Sequence, residues 1–116
     1  MKILLVEPGE VPRPAEIDPS LESMQRTVGG CIQAVYPFEE PVALICNDEG
    51  KLCGLPLNRA LRMPDTGEIY DIIAGTFFLC AAPAESESFC GLTEEQVERY
   101  SELFRTPEFF LGGVVL

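Results

Sequence analysis

The sequence contains no histidine and no tryptophan, and its basic residues are scarce. Histidine is the usual proton shuttle near neutral pH and the most common metal ligand, so its absence removes the central residue of most hydrolase, transferase and metalloenzyme mechanisms. Eight Lys and Arg residues stand against 19 Asp and Glu residues, which gives the 116-residue chain a formal net charge of -11. Such a surface repels phosphate backbones, so direct nucleic-acid binding is not expected.

The five cysteines lack the spacing of a metal or redox site. They are odd in number and widely spaced, and they include no C-x-x-C pair, so neither a zinc ribbon nor a thioredoxin-like site is indicated. Small buried side chains kept reduced in a cytosol explain them more simply. We therefore predict no catalytic residue, no metal and no cofactor.

No apolar run is long enough to cross a membrane. The run at residues 2–6 is far too short for a span, and no signal-peptide cleavage site follows it. We therefore expect a cytoplasmic protein without a membrane partner. The chain is 47% hydrophobic, which is enough for one domain with a real core, and we predict a single domain over residues 1–116.

Hydrophobic runs predict several strands. Residues 2–6, 31–36 and 76–81 are apolar or rich in β-branched and aromatic side chains. The proline-rich residues 8–16 are expected to form an extended connection without regular structure. The strongest local pattern is a hairpin with arms at residues 42–46 and 51–55 around Asn-Asp-Glu-Gly, in which the glycine supplies a positive φ.

Capping residues predict two helices. The first is expected to begin at Asp18 as N-cap and to end at Gly29-Gly30. The second begins with the capping box formed by Thr93 and Gln96 and continues to about Phe104. Its inward-facing residues are predicted to be Val97, Tyr100, Leu103 and Phe104.

Two segments leave alternatives open. Residues 55–62 are compatible with a short helix after Pro56 or with an irregular excursion, and Asp71 is a candidate cap for a single turn closed by Gly75. The apolar tail over residues 105–116 either packs back, adds a strand, or is available for a partner. Taken together, the elements predict an α+β fold, with a mixed, mostly antiparallel sheet of about five strands and two helices packed against it.

Three stretches resemble a known family over Met1 to about Phe104. They comprise Val6 to Gly9, residues 34–38 around the Tyr36-Pro37-Phe38 elbow with residues 41–47, and Leu57-Asn58-Arg59-Ala60-Leu61-Arg62 leading to residues 69–78, which end in Gly75-Thr76-Phe77-Phe78. This pattern is similar to the domain of unknown function 3846 family. The resemblance implies a small acidic protein of Gram-positive bacteria, their phages or conjugative elements, and some members accompany antirestriction modules. It implies no activity, since none is established for the family.

Seven residues are candidates for binding a partner, and they are Tyr36, Phe38, Asn58, Arg59, Arg62, Tyr70 and Asp71. The guanidinium groups form the only local basic cluster, and each offers a planar fork of donors for an anion or a carboxylate. The structural alternative is that Arg59 pairs with Asp71 or Glu68 while Asn58 caps a turn. The aromatic residues beside proline present a rigid apolar surface or belong to the core.

Three hypotheses about function follow. The first is an interaction protein of a mobile element or phage that binds a protein partner without catalysis. The second is an acidic mimic of nucleic acid with an antirestriction role, which requires carboxylates in rows at phosphate-like spacing. The third is an enzyme of unknown type, for which the chain supplies few activating groups. A homodimer, formed through a sheet edge or the apolar tail, is compatible with the sequence.

Overall fold

The computed structural model describes residues 1–111 and the backbone of residues 114 and 115. The predicted tail therefore falls partly outside the described residues, at Gly112, Gly113 and Leu116. The elements in chain order are β1 (Lys2–Val6), β2 (Arg13–Glu16), α1 (Leu21–Val28), β3 (Ile32–Val35), β4 (Val42–Asn47), β5 (Leu57–Arg62), β6 (Ile69–Ala74), β7 (Phe77–Ala81), α2 (Glu94–Leu103), β8 (Phe110–Leu111) and β9 (Val114–Val115).

A five-stranded sheet in the order β2-β1-β7-β4-β3 forms the centre, and every pair of neighbours in it is antiparallel. Leu4, Leu79 and Leu44 pair in one row across the sheet and face α2. Phe78 and Ile45 lie in the next row and face α1. Both faces are covered, which explains why these strands read as continuous apolar runs. The predicted α+β fold with two helices is confirmed.

The helix α1 begins later than predicted. Ser20, rather than Asp18, is the N-cap, and its hydroxyl accepts a hydrogen bond from the Ser23 N–H at 3.2 Å. The predicted end is confirmed, because Gly29 terminates the helix with φ 79°. Met24 and Val28 then pack on the sheet.

The helix α2 has the predicted capping box at Thr93 and Gln96. Three of its four predicted inward residues are buried, but Leu103 is 60% exposed, so that part of the prediction is wrong. The helix ends one turn beyond Tyr100, and Leu103 lies at the mouth of a cleft described below.

The predicted hairpin at residues 42–55 is wrong. Both edges of β4 pair with other strands, β3 and β7, so no edge is left for a second arm. Residues 48–54 form turns, and the positive φ (71°) is at Gly54. Gly50 instead allows the turn to pack closely against Ala74, because a Cβ at this position would lie 2.7 Å from the carbonyl oxygen of Ala74.

A second layer, the two-stranded hairpin of β5 and β6, covers the same face of the central sheet as α2. Neither the short helix nor the irregular excursion considered for residues 55–62 occurs, and β6 replaces the turn predicted after Asp71. Likewise, the extended connection at residues 8–16 contains β2. This strand tolerates Pro14 because it lies at the edge of the sheet.

Candidate functional site

Arg59 is buried in β5, with only 1% of its surface exposed. Its Nε donates to the carbonyl oxygen of Phe104 at 3.1 Å, and Nη2 donates to the same oxygen at 2.9 Å and to the carbonyl oxygen of Glu10 at 2.7 Å. Nη1 donates to the Asn58 carbonyl oxygen at 3.3 Å and to its Oδ1 at 2.8 Å. Five hydrogen bonds match the five N–H donors of a guanidinium group.

Asn58 is completely buried beside it. Its Nδ2 donates to the carbonyl oxygens of Val6 at 2.9 Å and Gly75 at 2.8 Å, while its Oδ1 accepts from Arg59. Thus the two polar residues join β5 to the end of β1, to the turn before β7 and to the end of α2. This contact brings the Asn-Arg and Gly-Thr-Phe-Phe stretches together at Gly75.

The Arg59 guanidinium also lies at the C-terminal end of α2, where its positive charge interacts favourably with the carbonyl groups of the last turn. Burial lowers the pKa of Arg59, and the carboxylate of Glu108 opposes that shift. Every donor is used within the chain. The pairing of Arg59 with Asp71 or Glu68 does not occur, and Asp71 instead accepts from Lys51 at 2.7 Å.

A cleft of about 560 Å³ opens between the β5–β6 hairpin and the C-terminal end of α2. It brings together four of the candidate residues, which are Phe38, Arg59, Arg62 and Tyr70. Most of its lining is apolar, and three large apolar side chains of the lining are strongly exposed: Met63 at 43%, Tyr70 at 51% and Leu103 at 60%. Clefts of this volume and composition are typical of binding sites.

Aromatic packing supports the inner wall of the cleft. The ring centroid of Phe38 lies 4.6 Å from that of Tyr100 and 6.3 Å from that of Phe104. Phe104 in turn packs edge-to-face on Phe77 of the central sheet at 5.4 Å. Phe38 therefore combines both roles considered from the sequence, since it packs with the core and lines the cleft.

Glu108 forms a polar wall of the cleft that sequence reasoning missed. Its Oε2 accepts the backbone N–H of Ala60 at 2.5 Å, and its Oε1 forms an ion pair with Arg62. The side chain is only 12% exposed. No spacing pattern could have found this contact, because 48 residues separate Glu108 from Ala60 along the chain.

Glu40 is a second residue that sequence reasoning missed. Its carboxylate accepts hydrogen bonds from the hydroxyl of Tyr100, from Arg99 and from the side-chain amide of Gln96 at 3.3 Å. The Tyr100 hydrogen bond is the main cause that lowers the pKa of Glu40, while burial and the Glu40 carboxylate raise the pKa of Tyr100. This cluster holds the segment around Phe38 against α2.

The other candidates lie elsewhere. Tyr36 is 61% exposed and borders a separate cavity of about 490 Å³ near Met24 and Phe89. Asp71 borders a third cavity of about 320 Å³, where it is paired with Lys51. The structure therefore does not bring all seven candidates into one site.

The cysteines are all unpaired thiols. Cys46 and Cys80 are buried as expected, but Cys31 and Cys53 are exposed, so the prediction of buried cysteines is wrong for these two. Burial raises the pKa of the Cys80 thiol to about 12 and also raises the pKa of Cys46. Both buried thiols are therefore protonated at neutral pH, which opposes nucleophilic chemistry.

The described part of the chain lacks two features. Within it, no group of three or more Cys, Asp or Glu side chains is placed to hold a metal ion. Among the same residues, no helix combines the length and apolarity that a membrane span requires.

The fold and the cleft together define an α+β protein whose buried Asn-Arg pair supports an apolar surface cleft. Residues 1–105 match the family described as Domain of unknown function (DUF3846), and the chain belongs to this family. Nothing matches the chain in the search of the curated proteins, and nothing matches it in the search of the solved structures.

Proposed function

We propose that the protein is a non-catalytic interaction protein that binds apolar side chains of a protein partner in the cleft between the β5–β6 hairpin and α2. The family resemblance adds the setting of the proposal, a mobile element or phage acting in the cytoplasm of its host. The observation that carries the proposal is the cleft itself, which gathers the exposed apolar side chains of Met63, Tyr70 and Leu103 around one cavity of about 560 Å³.

The state of the polar groups in the cleft supports binding rather than catalysis. Arg59 uses all five donors within the chain, and both oxygens of Glu108 are bound by Ala60 and Arg62. Neither group is free to transfer a proton to a bound molecule. The exposed side chains of Tyr70 and Leu103 are instead suited to bury apolar area against a partner, which is the usual source of affinity at a small interface.

The protein's charge restricts the choice of partner. Six of the eight basic residues already form ion pairs with carboxylates, so few cations remain to attract a polyanion to a chain of net charge -11. A nucleic-acid strand would be repelled over a Debye length of about 10 Å at 0.1 M salt. The proposed ligand is therefore a protein segment.

Site-directed photo-crosslinking in the native host tests this proposal. A benzophenone amino acid replaces Tyr70, which lines the cleft, or Tyr36, which has similar exposure but lies outside the cleft. We expect position 70 to yield a discrete adduct with one protein and position 36 to yield none. Equal adducts at both positions would contradict the proposal. So would an adduct formed by a benzophenone placed at Glu49 in the acidic loop but by neither tyrosine position, which an acidic mimic of nucleic acid would produce.

A further inference from the structure

We propose that the free edge of β5 carries a carboxylate-binding subsite, formed by the Ala60 N–H and the Arg62 guanidinium, for the acidic residue of an extended partner segment. In the monomer Glu108 fills this subsite in cis. The inference deepens the proposed function and rests on it, because it names the chemistry by which the cleft recognises its partner.

The geometry around Glu108 is that of a receptor for a carboxylate. One oxygen accepts a backbone N–H at 2.5 Å and the other pairs with the guanidinium of Arg62. Such charge-assisted contacts are stronger than neutral hydrogen bonds. Arg59 adds positive charge nearby. Its attraction to the Glu108 carboxylate opposes the lowering of the Arg59 pKa by burial. A carboxylate is therefore the group that this wall of the cleft binds.

The subsite lies on the edge of β5 that pairs with no other strand in the described part of the chain. At this edge the Glu108 oxygen takes the place of the backbone carbonyl that a neighbouring strand would present to Ala60. Exposed strand edges bind extended segments by adding them as a further strand, and side-chain contacts then provide specificity. A partner segment that fits this edge of β5 is therefore an extended one.

The segment that fills the subsite indicates the rest of the ligand's chemistry. Pro107 lines the cleft beside Glu108, whereas Phe109 is 69% exposed and Leu111 is 70% exposed. Glu108 also lies beyond residues 1–105, the part that matches the family. The family domain thus supplies the subsite and the following segment supplies a cis ligand. We infer a partner segment with one Glu or Asp between apolar residues.

Binding of a synthetic peptide with the sequence of residues 105–111 to the full-length protein tests the inference. In the wild-type protein the tethered Glu108 competes at a millimolar effective concentration. The Glu108→Gln variant removes that competitor while keeping the side chain's size. We expect the peptide to bind this variant at least tenfold more tightly than wild type, measured by fluorescence anisotropy. A peptide with Gln in place of its Glu should lose at least tenfold on the same variant.

The matched control is Glu102→Gln, which makes the same change of charge at an exposed ion pair with Arg105. It should bind the peptide as wild type does. Equal binding by wild type and Glu108→Gln, or equal binding of the Glu and Gln peptides, would overturn the inference. If Glu108→Gln does not fold, an NMR titration of the wild type decides: saturating peptide must shift the Ala60 amide resonance, and an unmoved resonance overturns the inference.

The two proposals fail separately. A crosslinked partner whose binding is indifferent to the Ala60–Arg62 subsite would leave the proposed function standing and remove this inference. Conversely, tight peptide binding without any adduct at position 70 in the host would support the subsite and contradict the proposed function.

Discussion

At the scale of single residues, the structure shows that Arg59 supports the fold through hydrogen bonds within the chain. Its guanidinium bonds to the carbonyl oxygens of Glu10, Asn58 and Phe104, which belong to three separate segments. Because all the donors are satisfied, the cost of burying the charge is offset by strong hydrogen bonds. The binding role predicted for Arg59 from the sequence stays a prediction, and what the hydrogen bonds show is that its guanidinium holds these three segments together.

The Arg59→Lys variant tests this role. A lysine keeps the charge but has three N–H donors in place of five and lacks the planar fork, so at least one of the four acceptor oxygens loses its donor. We expect the free energy of unfolding to fall by about 3 kcal/mol, measured by urea denaturation. The control is Arg26→Lys on the exposed surface of α1, which should change stability by less than about 0.5 kcal/mol. Equal effects of the two variants would show that the fork is dispensable.

Glu40 provides a prediction about pH. The pKa of its carboxylate is lower in the folded protein than its ordinary value of 4.5, mainly because of the Tyr100 hydrogen bond. A group whose pKa is lowered by folding stabilises the protein above its unfolded pKa, and this contribution is lost as the pH falls through the folded pKa. The stabilisation is therefore complete near neutral pH and declines below about pH 4.5.

The Glu40→Gln variant should remove that contribution. We expect it to be less stable than wild type by about 1 to 2 kcal/mol at pH 6 to 7, with the difference shrinking progressively below pH 4.5. Thermal unfolding followed across this pH range measures the difference. Glu98→Gln, a neutralisation on the exposed face of α2, is the control and should give a small difference at every pH. A Glu40→Gln difference that grows on acidification would contradict the assignment.

At the scale of elements, local signals predicted some segments and failed at others for a physical reason. The capping box of α2 and the glycine end of α1 depend on neighbouring residues, so the sequence shows them directly. The strand β5 was not predicted because its buried Asn58 and Arg59 interrupt the apolar pattern. Their partners lie up to 52 residues away, and only the folded chain shows that these polar groups are satisfied.

The turn at residues 48–54 shows the same limit. Asn-Asp-Glu-Gly is typical of a hairpin turn, but both edges of β4 are taken by β3 and β7. Gly50 is required by its close approach to Ala74, and a sequence pattern cannot distinguish that requirement from a positive φ.

The Gly50→Ala variant tests the close approach. Its Cβ would lie 2.7 Å from the backbone oxygen of Ala74, so the turn must move away from β6. We expect a loss of about 2 to 3 kcal/mol, the usual range for overpacking, measured by urea denaturation. The comparison is Gly54→Ala, which has a positive φ of 71° but free space around its Cβ, and which should cost about 1 kcal/mol. A smaller loss for Gly50→Ala than for Gly54→Ala would contradict this account.

At the scale of the whole molecule, the central sheet and the β5–β6 hairpin enclose a core on one face, and the cleft forms where that hairpin meets the end of α2. The α+β class could be predicted from the sequence because it depends on the number and kind of elements. The cleft could not, because it depends on how segments around Phe38, Tyr70 and Leu103 meet. Only four of the seven candidate residues line it.

Charge also acts at this scale. The net charge of -11 slows the approach of any acidic partner and favours one with compensating basic groups outside the bound segment. A partner segment with a single carboxylate could bind the β5 edge, and basic residues around that segment would be attracted by the acidic surface. One kind of ligand would therefore suit the proposed cleft, its carboxylate subsite and the charge of the whole molecule.

The most direct measurement of the central claim is the affinity of the crosslinked partner, once purified, for two matched variants in isothermal titration calorimetry. Leu103→Gln alters the exposed mouth of the cleft, whereas Leu21→Gln alters a leucine of similar exposure on α1, which packs on the opposite face of the sheet. The account predicts at least a tenfold loss of affinity for Leu103→Gln and none for Leu21→Gln. Unchanged affinity for Leu103→Gln, or equal losses for both variants, would contradict it.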